Sequence, residues 1–113
     1  MLAGRLPHRV IIEERVAVPT GSGGTTDVWE PRVTVNAEVT PLSARDMAFY
    51  SQSGAVVSHR VRLRYRAGIT NVTHRLVYRG RVLEIATIRD IGERRQMLDL
   101  HCGELTPGPE ATS

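Results

Sequence analysis

Apolar and polar residues alternate with a period of two along most of this chain, the mark of β-strands with one buried face. Within residues 9–18, Val10, Ile12, Val16 and Val18 share a parity that Glu14 interrupts, predicting a first strand behind a short amino-terminal arm. Val33, Val35, Ala37 and Val39, set against Arg32, Thr34, Asn36 and Glu38, predict a second strand that ends at Pro41. Residues 19–27, rich in glycine and threonine, read as a flexible hairpin loop between the two. Trp29 is the single tryptophan, expected to close one end of the core.

A third strand carries Val61, Leu63 and Tyr65 inward and Arg60, Arg62, Arg64 and Arg66 outward, so its polar face is entirely arginine. A short run around Leu76 and Tyr78 leads into Arg79-Gly80, a hairpin turn signal. Residues 82–88 form the next strand, with Val82, Glu84, Ala86 and Ile88 opposite Leu83, Ile85 and Thr87. After a polar turn at 90–95, residues 96–104 place Leu98, Leu100 and Cys102 on one face and Met97 and Asp99 on the other.

The period changes once. Ser43 with Asp46 three residues on resembles a capping box, and residues 44–52 predict two turns of helix ending near Gly54. The helix is too short to be stable alone. It carries Met47, Phe49 and Tyr50, so it either packs on the sheet or stays mobile until a partner binds. The pattern as a whole is mainly β: a small antiparallel β-barrel of five to six strands, with one short helix or long loop between strands two and three. One domain is expected over 1–105, and residues 106–113 are expected to be disordered by composition.

A chain of 113 residues can build one core, burying roughly two-thirds of its unfolded surface. With only 4% aromatic residues, that core must come from valine, leucine, isoleucine and alanine. All 15 basic side chains are arginine. Between Asp46 and Glu84 there is no acidic residue, while Arg60, Arg62, Arg64, Arg66, Arg75, Arg79 and Arg81 supply seven positive charges; the formal total of +3 leaves 3 − 7 = −4 for the flanks. The chain is electrically divided along its sequence. No apolar run approaches the ~20 residues needed to span a bilayer, so no membrane partner is expected.

No catalytic constellation emerges. His8, His59, His74 and His101 lack metal-ligand spacing, no serine sits in a Gly-x-Ser-x-Gly turn, and Glu13 and Glu14 point to opposite faces of a strand. Cys102, the only cysteine, reads as a small core residue. Neither an enzyme, nor a cofactor, nor a small-molecule substrate is expected. The arginine row needs an answer, since alternate residues on a strand lie roughly 6.6 Å apart, inside the Debye length. Solvent and counter-ions would serve, as would a neighbouring strand or subunit offering Glu13, Glu38, Glu84 or Glu93, or the backbone of nucleic acid.

The ordered series Leu6-Pro-His-Arg9-Val, Trp29, Val35-Asn-Ala-Glu-Val39, Pro41-Leu-Ser-Ala-Arg-Asp46, His59 to Arg66 with Gly68-Ile69, Arg75, Tyr78-Arg-Gly-Arg81, Leu83-Glu-Ile85, Asp90, Glu93-Arg-Arg95 and Leu98 to Cys102 resembles the head-closure proteins of tailed bacteriophages, also called head–tail joining or stopper proteins. The resemblance implies a homo-oligomeric ring of twelve copies, with a portal or adaptor protein above, a tail protein below and packaged double-stranded DNA in the channel. It places the protein in a virion connector assembled in the bacterial cytoplasm, of a phage, prophage or gene-transfer particle. In that family the connection between the second and third strands is associated with plugging the channel; residues 42–57 match it here, with Leu42, Ser43, Arg45, Asp46, Met47, Phe49, Tyr50 and Gln52 as the candidate plug. Arg60, Arg62, Arg64 and Arg66 form a candidate subunit- or DNA-facing surface without a role to carry over. The alternatives are a nucleic-acid-binding barrel of the OB type, or an adaptor or tail-completion protein of the same connector.

Overall fold

The computed structural model describes residues 6–54 and 56–105. Six antiparallel strands, β1 (His8–Pro19), β2 (Thr25–Pro41), β3 (His59–Arg64), β4 (His74–Tyr78), β5 (Arg81–Asp90) and β6 (Met97–Glu104), close a barrel in the order β1-β2-β3-β6-β5-β4. The one α-helix among the described residues, α1 (Ala44–Ser51), lies between β2 and β3, as the change of period predicts. The tail expected at 106–113 lies outside the described residues. Among those described, no helix is long and apolar enough to cross a membrane.

The inward parity fills the barrel with aliphatic side chains. Leu63, Leu76, Leu83 and Leu100 are fully buried, and Tyr78 is the sole aromatic residue of the buried cluster. Tyr65 packs against that cluster from the end of β3, facing inward as expected. Strand β3 nevertheless stops at Arg64, two residues short of the predicted Arg66; Tyr65 N bonds Gln96 O instead of continuing the ladder with β2. The β4–β5 turn is the predicted one: Arg79 and Gly80 both have positive φ, 52° and 76°, as a two-residue type I′ hairpin requires.

Three expectations are corrected. The loop expected at 19–27 is shorter, because the β-branched Thr25 and Thr26 pair with Pro19 and Val18 and extend β2. Strand β5 does not keep one parity: a bulge between Ile85 and Thr87 turns Thr87 outward and brings Ile88 against the core. Trp29 does not close the core. It sits on the outer part of the β1–β2 ribbon, half-buried, with the Arg75 guanidinium 4.5 Å and that of Arg15 5.9 Å from its ring. Cation–π contact, rather than burial among aliphatic side chains, holds it there.

Cys102 is fully buried on β6. Burial first, and the Asp99 carboxylate second, push its thiol up from 9.0 to about 12. A folded-state pKa above the unfolded one contributes stability that is complete below the unfolded value and is lost as pH rises. Between pH 9 and 12 the folded protein therefore loses stability through this group, on the order of 1 kcal/mol per pH unit in the middle of that window. Denaturant melts across that window will show the loss in the native chain and a smaller one in Cys102→Ala; identical slopes would refute it.

Candidate functional site

The helix and the arginine strand, separate in sequence, meet on one outer face of the barrel. Register sets out a row across four strands in which Glu38 stands opposite Arg62, Arg62 opposite Asp99, and Asp99 opposite Arg89. Charges alternate along it. Directly across a sheet, opposite charges attract and like charges repel, so this order relieves the crowding that four arginines on one strand would otherwise create. Asp99 is only 9% exposed, with Oδ1 3.8 Å from Arg60 Nε and 4.0 Å from Arg62 Nε. Arg62 Nε and Asp99 Oδ1 are buried without a hydrogen-bond partner among the described residues, so their attraction is that of opposed charges across a low-dielectric gap.

The next row carries Thr40, Arg60, His101 and Thr87. Onto it comes Tyr50 from α1, its hydroxyl 2.6 Å from His101 Nδ1 and 3.1 Å from Thr87 Oγ1. His101 Nε2 in turn lies 3.9 Å from Asp99 Oδ2. Tyr50, His101 and Asp99 thus link the candidate plug to Arg60 and Arg62. Neither Asp99 nor His101 was legible as part of a site, since the β3–β6 register that joins them to the arginines is fixed only by the fold. The one available signal was the outward parity of Asp99 and His101 on β6. Of the acidic residues expected to answer the arginines, Glu38 does face Arg62, whereas Glu13 is bound to Arg75 at 2.7 Å.

Helix α1 starts as predicted, Ser43 Oγ accepting from the Asp46 amide at 3.2 Å, and closes at Gln52, with Gly54 at φ 83°. Its packing is sparse. No residue of α1 is buried, Arg45 and Asp46 are exposed, Met47 is 40% and Phe49 69% exposed, and Tyr50 is its half-buried contact. The segment is fixed at its roots. Leu42 and Val57 are buried, Leu42 N bonds Ser58 O, and Ser58 N bonds Cys102 O. Removing the tyrosine hydroxyl takes away about 1 kcal/mol of attachment. In Tyr50→Phe the amides of α1 will exchange roughly five times faster while those of β6 are unchanged; equal exchange would show that the hydroxyl anchors nothing.

The division of charge along the sequence is largely erased in space. Flank carboxylates meet arginines of the middle segment, Glu13 with Arg75, Glu104 with Arg81 at 3.3 Å and Asp99 with Arg60 at 3.8 Å. On the face that β3 presents, Glu38 and Asp99 stand beside Arg60, Arg62 and Arg89. Among the described residues no group of three or more His, Cys, Asp or Glu is placed to hold a metal ion.

A family model described as phage head completion protein matches residues 1–105. Protein SF1141 from Shigella flexneri 2a, known from a solution structure, is similar over 96% of this chain and 100% of its own, with TM-score 0.78 and 26% identity. A chain from the virion of a native gene transfer agent particle shares the fold with TM-score 0.60 and 19% identity, over 89% of this chain and 96% of that one. No curated protein matches the chain significantly.

Proposed function

The chain belongs to the phage head completion proteins, and from that premise we propose that it is a non-enzymatic subunit of the head–tail connector. In this reading copies form a ring beneath the portal or adaptor protein, residues 42–57 narrow the DNA channel, and the ring offers the tail a docking surface. The observation that supports it best is the build of that segment: buried Leu42 and Val57 at its ends, and between them Met47, Phe49 and Val56 turned to solvent. Exposed large apolar side chains on a segment with rigid roots suit contact with other chains, here the same segments of neighbouring copies around the channel. The excess of cations on β3 suits either the DNA backbone or an acidic surface of a neighbour.

Deleting residues 45–54 removes side chains of which none is buried, so the barrel will fold with little change in melting temperature. Particles assembled with this variant will lose their packaged DNA, measured as nuclease-sensitive genome. Full retention of DNA in such particles would rule out the plug.

A further inference from the structure

The β1–β2 ribbon outruns the barrel. Among the described residues its last backbone hydrogen bond to the rest of the fold is Arg15 N to Thr73 O, beyond which Val16↔Val28, Ala17↔Asp27, Val18↔Thr26 and Pro19↔Thr25 continue as a two-stranded ladder. This distal ribbon reaches about 14 Å further. On one side, β4 pairs β1 only over residues 11–14; on the other, β3 pairs β2 only over residues 37–41. Among the described residues the ribbon therefore has two open backbone edges, 16–19 on β1 and 25–36 on β2.

Open edges accept further strands unless charge, proline or a bulge blunts them. The proximal part of the β2 edge carries such devices: Pro31, which has no N–H, the charged Glu30 and Arg32, and the shift of register between Ile12 and Glu13 that leaves Arg32 as an extra residue. The distal part carries fewer, Pro19 at the tip of β1 and Asp27 on β2, and residues 16–18 of β1 carry none. Val16, Val18, Thr25, Thr26 and Val28 are β-branched, and Asp27 is the one charge past Arg15. Short segments of high β-propensity and low charge are those that pair with other chains, and a two-stranded hairpin by itself is marginal in water.

We propose that this distal ribbon is a strand-addition arm, and that its partner is the same ribbon of a second copy of the chain. The β1 edge at 16–18 of one copy pairs with the β2 edge at 25–28 of the next. Because β1 and β2 run in opposite directions, copies related by rotation bring these edges together antiparallel, the better-bonded arrangement. Opposite charges flank the contact, Arg15 at the root of the β1 edge and Asp27 on the β2 edge, and their ion pair within one ribbon is loose at 3.8 Å with both side chains exposed. Each contact leaves the same two edges free at the ends of the series, which closes when the rotation closes. The proposal rests on the ring reading above and specifies its subunit contact.

The test uses full-length chains in assembled particles. Val18→Cys and Thr26→Cys, carrying different tags, are co-produced and treated with a thiol crosslinker spanning about 8 Å, the reach of a diagonal cross-strand pair. Buried Cys102 does not react. The expected product is a mixed Val18→Cys–Thr26→Cys dimer, with neither variant crosslinking to itself. A self-crosslinked variant would show two-fold pairing of like edges and overturn the head-to-tail contact; a crosslink to a different connector protein would overturn the choice of partner. Rings visible in micrographs without any crosslink would overturn the arm contact and leave the ring reading standing, whereas particles without rings would remove both.

Discussion

Replacing Gly103 with alanine or valine will lift the root of the candidate plug off the barrel. A Cβ added at Gly103 falls far inside contact distance of the Val56 carbonyl oxygen and 3.3 Å from its carbon, and 3.9 Å from the Val57 Cα. These are backbone atoms, so no side-chain rotation relieves the overlap. The strap at residues 56–58 must move, giving up the Ser58 N to Cys102 O bond and the Glu104 N to Ser58 Oγ bond. It also exposes Val57, now 4% accessible. Two hydrogen bonds at about 1 kcal/mol each and re-exposure of one valine at about 1.5 kcal/mol add to roughly 3.5 kcal/mol. Thermal melts will show a fall of roughly 10 °C or more. Alanine alone decides the matter, because the overlap comes from the first side-chain carbon; a shift within error for Gly103→Ala would mean the strap is not held as described.

Asp99 is the second position where one change has a large effect. It is the carboxylate that Arg60 and Arg62 share, and the Arg62 side chain is only 17% exposed. Removing one partner of a buried ion pair leaves the other uncompensated. The separations near 4 Å and the partial exposure of Arg60 moderate the cost, which for Asp99→Asn is about 2 kcal/mol. Denaturant unfolding will register it as a lower midpoint with unchanged slope. Pairing Asp99→Leu with Arg62→Leu will recover most of that loss, since apolar pairs of similar volume replace buried ion pairs at little cost. A double variant no more stable than Asp99→Leu alone would show that the two charges are not coupled.

Much of the barrel was legible because the period of two survives wherever a strand has one face inside. The helix was legible from Ser43 and Asp46, and the β4–β5 turn from Arg79-Gly80. What escaped were the departures from simple alternation. One extra residue at the β5 bulge exchanges the roles of Thr87 and Ile88, and no local pattern announces it. Trp29 misled because a lone tryptophan in an aromatic-poor chain reads as core, whereas its partners Arg15 and Arg75 come from other strands. The candidate site was legible in halves. Residues 42–57 and the β3 arginines each stood out, but their connection through Tyr50, His101 and Asp99 depends on strand register, a long-range property.

The placement of the two buried roots also sets a limit of travel. With Leu42 and Val57 fixed in the barrel, the midpoint of the segment between them can reach no further than half its extended contour, about 25 Å, and that only with the Tyr50 contacts released and α1 unwound. Copies facing one another across an opening could therefore occlude an aperture of roughly 50 Å at full stretch and no wider. The geometry of a single subunit thus bounds the bore that such a gate could shut.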